Sequence, residues 1–417
     1  MISSTFPYPP SRGGTEIRTF NLLRYLQQNH QVILVTQRQS GVTEDEIKEL
    51  EKLVTKLIIF DFPESPEEKG FSKITGTISR LTESLIKGTP INVLHSYSQE
   101  IQNLVDEYVN TNQCDVITCE HSVNAIYIKP HYQKTVNTVL NMHSLGYAWT
   151  RDHLKVKASD NMWRDRLYLP TIYQYEKRFA DQFSHIVVTT DDDYQEVIKF
   201  LPKPPKITII PNGVDLDLFP YRDHDLGGYE LIFVGAMDSS HNIDAALFFA
   251  NEILPQLQVK YPKTTFNIVG TKPSKEILSL QERKGINVTG KVPSMVEYLH
   301  KCTVCVIPLR TGFGIKNKTL EAMAAGIPVV GSDRALEGLL VDGEKIPLRA
   351  LRANTVDEYI NNISKLFEDS QLRQQLAKNG RDLMESEYTW SKIGENYEKV
   401  CLNHNRLGIN IDKLRRI

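Results

Sequence analysis

The chain of 417 residues contains no apolar run approaching the roughly 20 residues that a membrane-spanning helix needs. Its N-terminus has no basic segment followed by an apolar core, so no secretory signal is read there. Neither sign of charge dominates: 49 Lys and Arg against 51 Asp and Glu give −2, and no global attraction to nucleic acid is expected. Cysteine is scarce, at five. Cys302 and Cys305 form a CxxC, but inside CTVCVIPL, which reads as a strand. Residues three apart on a strand face opposite sides, so the pair suits neither a metal nor a redox bond. Buried free thiols in a reduced, cytoplasmic protein are expected. No GxGxxG follows a strand at the head of either half, which argues against dinucleotide binding. Between Glu297 and Glu321 there is no Asp or Glu at all.

What is present is an alternation. QVILVT, KLIIF, DVITC, TVLNM and HIVVTT read as buried strands, separated by helical patterns over Glu16 to Gln28, Glu44 to Thr55, Gln99 to Asn110 and Asn161 to Phe179. FLPKPPK breaks the series. It then restarts with KITIIPNGV, ELIFVGA, TFNIVGT, INVTGKV, TVCVIPL and IPVVGS. The helices between them span Ile243 to Lys260, Lys275 to Lys284, Met295 to Lys301 and Thr319 to Ala325. A long pattern over Asp357 to Met384 and a final amphipathic helix in TWSKIGENYEKVCLNHN close the chain. The pattern predicts an α/β fold of two doubly wound, Rossmann-like domains covering residues 1–205 and 206–388, with a C-terminal helix and tail over 389–417. No repeat and no low-complexity tract is present. In such sheets ligands bind beyond the carboxyl ends of the strands, and two domains favour a cleft between them. The start, Met1 to Ser4 ahead of FPYPPSRGG, offers only a stub of a strand; a longer native start is an expectation.

Several motifs follow strands directly. Gly13 and Gly14 lie between the first stub and the first helix, where a backbone without side chains admits a phosphate or a sugar; a plain turn is the alternative. In CVIPLRTGFGIKNKTLEAMAAGIPVV a strand runs into a Gly312-Phe313-Gly314 turn and then a short helix that Gly326 stops. An anion at that helix start meets free N–H groups and the positive end of the dipole, and Lys316 and Lys318 add point charges suited to phosphate. Glu321, one turn in, can accept from sugar hydroxyls; a solvated helix start explains a lone Glu in so apolar a helix poorly. His143 follows the TVLNM strand, as a catalytic group or as a satisfied core histidine. Asn212-Gly213 reads as a turn. Asp191 to Asp193 resemble a D-x-D metal motif but open a helix, where acids simply complement the dipole. The aromatic and basic segment from Tyr147 to Phe179, with Trp149, Trp163, Arg164, Arg166 and Tyr168, reads as core spacing, with an interfacial surface as the alternative.

Taken in order, PPSRGGTEIRTFNLL, NMHS, IIPNGVD, LIFVGAMD, INVTGKV and GFGIKNKTLEAMAAGIPVV resemble the retaining family 4 glycosyltransferases of GT-B fold over nearly the whole chain. The GAMD and GIKNKxLEAMA versions are closest to sugar transferases associated with PEP-CTERM exosortase and exopolysaccharide systems. The resemblance implies an N-terminal acceptor domain, a C-terminal domain for a nucleotide-diphosphate sugar, a central cleft, and a last helix around Trp390 to Asn403 that crosses back to the N-terminal domain. It places Gly13 and Gly14 near the donor diphosphate, His143 near the transferred sugar, and Glu321 on the ribose as the second glutamate of an E-x7-E motif. No metal and no cofactor beyond the donor substrate are implied. The partners implied are a glycan or lipid-linked acceptor and peripheral contact with the inner membrane, without nucleic acid.

Two departures stand out. The place of the family's first glutamate falls on Phe313, or on Thr311 if two extra residues are allowed, and neither is acidic. The N–H groups of Phe313 and Gly314 are candidates to replace its sugar contact. The Arg and Lys that many relatives carry after LIFVG fall here at Ala236 and about Asn242, leaving Lys316, Lys318 and Arg310 to hold the diphosphate. The rivals are a GT-B epimerase or phosphorylase and a non-catalytic nucleotide-sugar-binding subunit. Sugar, base and acceptor are not readable from spacing.

Overall fold

The computed structural model describes residues 1–10, 13–63, 80–155, 161–201, 203–312 and 314–402. The described residues form two compact units: those of Met1 to Arg151, Trp163 to Ile210 and Trp390 to Leu402, and those of Asp152 to Met162 and Pro211 to Thr389.

The first unit is a seven-stranded sheet in the order β3-β2-β1-β4-β5-β6-β7. Its strands are β1 (Ile2–Ser3), β2 (Ile33–Arg38), β3 (Lys56–Asp61), β4 (Val116–Glu120), β5 (Asn137–Asn141), β6 (His185–Val188) and β7 (Lys206–Ile209). Every pairing is parallel. Such a sheet needs helical crossovers on both faces, which is why its central strands are continuous apolar runs. The helix Gly14–Leu26 lays Leu22, Leu23 and Leu26 on one face, beside Ile393, Tyr397 and Val400 of the last helix, Trp390–Leu402, over Leu34, Val139 and Val187. The last helix is thus part of this unit's core, and Asn137 donates to its final turn at Cys401 O, 2.7 Å.

One sequence boundary moves. KITII, expected to open the second domain at 206, pairs with β6 from His185↔Lys206 to Val188↔Ile209 and is the edge strand of the first sheet. The proline-rich stretch before it interrupts only the covalent run, whereas the backbone ladder continues, so the units divide after Ile210.

The second unit is a six-stranded, all-parallel sheet in the order β10-β9-β8-β11-β12-β13. Its strands are β8 (Glu230–Val234), β9 (Thr265–Val269), β10 (Ile286–Val288), β11 (Val304–Ile307), β12 (Val329–Gly331) and β13 (Leu351–Arg352). Phe233, Phe266, Ile307 and Val330 of the strands pack with Phe249, Leu320, Met323 and Tyr359 of the helices in one core. The expected helix from Ile243 to Lys260 passes through a π-turn at Phe249–Ile253, immediately before Pro255, whose missing N–H breaks the regular ladder. The pattern over Asp357 to Met384 is two helices, Val356–Glu368 and Ser370–Glu387. Asp369 caps the second by accepting from Leu372 N–H at 2.9 Å.

Each sheet reverses its winding once, between β1 and β4 and between β8 and β11. The loops leaving these neighbours diverge and open a crevice at the carboxyl ends of the strands. In the second unit the loops after β8 and β9 approach closely enough that a Cβ on Gly270 would lie 1.6 Å from Gly235 O. Gly270→Ala is expected to destabilise the protein by at least about 3 kcal/mol, because a backbone carbonyl, not a flexible side chain, must give way. Denaturant unfolding of the purified variant checks this, and a loss below about 1 kcal/mol would show that the two loops can part freely.

Candidate functional site

The crevice of the second unit gathers most of the residues read from the sequence. β11 leads through buried Pro308 and Leu309 to Arg310, Thr311 and Gly312, and the helix Asn317–Ala324 begins after Gly314 and Lys316. Phe313 lies outside the described residues. Gly312 and Gly314 take φ of +109° and +76°, a left-handed backbone that admits glycine readily and lets the chain turn from strand to helix within a few residues. The helix N-terminus has no side-chain cap and no acid in its first turn, so no carboxylate of its own helix start offsets the positive end of its dipole.

Lys318 is aimed across the crevice. Its amine donates to Asn242 Oδ1, on the helix after β8, and lies 4.4 Å from the centre of the Phe233 ring. Gly235 makes room, since a Cβ there would sit 2.7 Å from that amine. Burial lowers the Lys318 pKa to about 7, with Lys316 adding to the effect and Glu321 opposing it. Burial likewise raises Glu321 to about 7, with Lys318 pulling the other way. His241, absent from the sequence reading, is pushed down to about 3 by burial and by Lys318 and Lys316, and its Nδ1 meets Ser239 Oγ at 2.9 Å.

Arg310 pairs with an acid of another element. Its guanidinium forks onto Asp244, with Nε to Oδ2 at 2.9 Å, and stacks 4.9 Å from the Phe248 ring centre. That ion pair engages two of its five N–H donors, on a side chain about half exposed. Lys316 is only 10% exposed, donates to Gly314 O, and lies 3.5 Å from Glu337 Oε2. Glu337 was missed in the sequence because it follows a different strand, β12. Its Oε1 accepts the Gly314 N–H at 3.1 Å, and Arg334 Nη1 lies 3.5 Å from its Oε2. The Gly314 N–H, a candidate sugar contact by sequence, is therefore already committed.

In the first unit the switch point holds a buried polar network. Glu120 ends β4 and Asn141 ends β5; Asn141 Nδ2 donates to Glu120 Oε2 at 2.6 Å, and Tyr397 of the last helix donates to Oε1 at 2.9 Å. Arg18 Nε donates to Asn141 Oδ1 at 3.0 Å and Arg18 Nη2 to Ile210 O at 3.0 Å. His143 Nε2 lies 3.4 Å from Glu120 Oε2, while its Nδ1 is buried without a hydrogen-bond partner among the described residues. Burial favours a raised Glu120 pKa, but the contacts from His143, Asn141 and Tyr397 outweigh it and hold the carboxyl below its ordinary value. Burial lowers the His143 pKa, against the pull of Glu120. Neighbouring His121 has φ of +75°, its ring 5.7 Å edge-on to that of His143. Gly13 and Gly14 start the helix after β1 in the same unit, and Gly13 is an extended, uncapped N-cap. Glu120, Asn141 and Arg18 escaped the sequence reading, although the strand-end rule that found His143 also points to the first two.

The remaining readings resolve simply. Asp191 to Asp193 form a first helical turn, with Thr190 accepting from Asp193 N–H at 3.1 Å. Cys302 and Cys305 are buried and free. Trp163 is 76% exposed and Leu167 is exposed too, so those positions of the aromatic segment do not pack as core. Among the described residues no helix is long and apolar enough to cross a membrane.

Two parallel sheets with reversed-winding crevices, one lined by lysines at a helix N-terminus, define a class, and the comparisons agree. Residues 12–218 match the model described as Glycosyltransferase Family 4, and residues 228–369 the model described as Glycosyl transferases group 1. The chain is a glycosyltransferase of GT-B type. It is 20% identical over 408 residues, 94% of this chain and 97% of the other, to an uncharacterized 44.6 kDa protein in the cps region of Klebsiella pneumoniae. Its fold matches the sucrose-phosphate synthase from Thermosynechococcus elongatus at a TM-score of 0.66, 19% identity and 96% of each chain. It also matches Anabaena HepE, in complex with UDP and glucose, at 0.62, 14% identity and 95% and 97% of the two chains.

Lys318 sets a pH dependence. Its folded value lies below its unfolded 10.5, so from about 7 upward the free protein holds the amine neutral. A diphosphate bound beside it would recharge it, so such binding would take up a proton and weaken by up to about tenfold per pH unit above 7. Calorimetry of UDP binding at about pH 8, in buffers of different ionisation enthalpy, is expected to show uptake approaching about one proton, absent in Lys318→Met. Equal proton uptake in the two proteins would contradict the assignment.

Proposed function

We propose that the protein transfers a sugar from a nucleotide-diphosphate sugar to a hydroxyl of a glycan or lipid-linked acceptor, with retained anomeric configuration. Exopolysaccharide or cell-surface glycan synthesis is the proposed setting. The observation that carries the reading is the uncapped helix start at Asn317 with Lys316 and Lys318 beside it and Glu321 one turn in, at the switch point of the second sheet. Two features are aimed at charge that grows on the leaving diphosphate as the glycosidic bond breaks: the helix N-terminus and the lysines. The electron pair of that bond goes to the diphosphate oxygen, and the acceptor oxygen bonds the anomeric carbon. The acceptor's proton goes to the leaving phosphate on the same face. A paired acid and base, as glycosidases need, is then not required. Glu321 accepts from the ribose hydroxyls in this reading.

Within the first unit, Glu120 holds His143 Nε2–H, which leaves Nδ1 as an acceptor for a substrate hydroxyl. A UDP-sugar is the first donor to try, since HepE is in complex with UDP-glucose, and the Klebsiella cps-region relative supports a polysaccharide setting. The subfamily associated with PEP-CTERM systems is proposed from GAMD and GIKNKTLEAMA alone. Exposed Trp163 and Leu167 suit peripheral contact with a membrane, beside an Arg164 that is ion-paired to Asp165 at 2.8 Å.

A thermal-shift screen with UDP-, GDP- and ADP-sugars is expected to give one clear stabilisation, followed by turnover of that donor. Lys316→Ala and Lys318→Ala are each expected to weaken donor affinity at least about tenfold, as loss of a charge-assisted contact does. Activity unchanged by EDTA is expected, because lysines and backbone supply the neutralising charge. Donor binding without turnover across a wide acceptor set would favour the binding subunit; an epimerised donor formed without acceptor would favour the epimerase. Sedimentation with anionic vesicles is expected to carry the wild type down and to lose about tenfold in Trp163→Ala. Binding equal to that with neutral vesicles would remove the membrane contact.

A further inference from the structure

A carboxylate sits where a diphosphate site should not want one. Glu337 is 4% exposed at its side chain, and its Oε1 accepts the Gly314 N–H at 3.1 Å. Its Oε2 lies 3.5 Å from Lys316 Nζ and 3.5 Å from Arg334 Nη1. The loop that carries it is fastened to the lysine turn and helix at two further points. Ser332 Oγ donates to Leu309 O at 2.5 Å, and Thr319 Oγ1 donates to Ala335 O at 2.7 Å. Its position is therefore set by the fold and not by a wandering side chain. Arg334 also reaches Asp152 at 3.4 Å, so Glu337 is not its only anionic neighbour.

For an anion alone this arrangement is counterproductive. A fixed negative charge beside Lys316 and Arg334 subtracts from the field that would attract a phosphate, and burying it is costly in itself. A ligand that joins a diphosphate to a polyol changes the balance, because its hydroxyl protons need an acceptor where its phosphate oxygens need cations. A second observation points the same way. Thr311, on the same turn, is 2% exposed, and its Oγ1 has no hydrogen-bond partner among the described residues. An unsatisfied buried hydroxyl is unfavourable unless a ligand completes it.

We propose that Glu337 is the donor-sugar carboxylate of this protein, accepting from hydroxyls of the transferred sugar beside Lys316 and Arg334. The inference rests on the nucleotide-sugar reading above. It replaces an acid within the turn by one delivered from the neighbouring strand's loop.

The test exploits opposite signs. UDP, GDP and ADP are titrated, each beside its glucose conjugate, into wild type and Glu337→Gln, and turnover of the preferred conjugate is measured. The amide oxygen of Gln can still accept from Gly314 N–H, so the variant is expected to fold. It should bind the bare nucleoside diphosphate as well as or more tightly than wild type, since a repelling charge is gone. Its kcat/KM for the conjugate should fall about 10- to 100-fold, as loss of a hydrogen bond to a charged group does. Glu337→Asp, which keeps the charge, should recover part of that loss. Parallel weakening of diphosphate and conjugate would assign Glu337 a structural role and overturn the proposal, as would an unchanged kcat/KM. A wild type that binds none of the six probes would overturn the donor reading itself, which is a separate outcome.

Discussion

The constraint on which this molecule depends is the winding of its two parallel sheets. Parallel strands require crossovers, and each sheet is wound outward from its first strand before the chain returns to its other side. At β1 and β4, and again at β8 and β11, adjacent strands send their following loops in opposite directions. Helix N-termini, free N–H groups and strand-end side chains collect at those points without any local sequence demanding it. Gly13 and Gly14, Glu120, Asn141 and His143 collect in the first unit; Asn242, Thr311, Lys316 and Lys318 collect in the second.

Both crevices contain a buried carboxylate, and the two are compensated differently. Glu120 is held by Asn141 of β5, His143 of the loop after it and Tyr397 of the last helix, and Arg18 locks Asn141 in turn. Such a network fixes one arrangement of His143 and ties the last helix to it. The contacts of Glu337 include the Gly314 N–H and two cations at 3.5 Å, longer than a tight charge-assisted contact. The first arrangement suits a rigid support, the second a group that shares its surroundings with a ligand. Lys318 and Glu321 occupy a third condition, both drawn toward about 7 by burial, each opposing the other's shift.

Much of this was readable in advance. The alternation of apolar runs and helical periods predicted two doubly wound domains, because a strand buried on both faces must be apolar throughout. The glycine turn, the lysines and the alanine-rich helix were legible because strand, turn and helix start are contiguous in the chain. The domain boundary was misplaced by a few residues because a proline-rich stretch resembles a linker, and only the hydrogen-bond ladder shows that KITI stays in the first sheet. The ion pair of Arg310 with Asp244 was not legible, because sequence shows a charge but not its partner, which lies on the helix after β8.

The sequence by itself determined the fold class, the strand-to-helix turns and the residues lying within them, all set by short-range periodicity and backbone preference. Only the tertiary structure decided which side chains meet across strands. It brought Glu337 from beyond β12 onto the Gly314 N–H, Asn242 from beyond β8 onto Lys318, and Tyr397 from the last helix onto Glu120. The physical reason is that charge compensation in a buried crevice acts over a few ångströms of space, and neighbouring strands of a parallel sheet lie tens of residues apart in the chain.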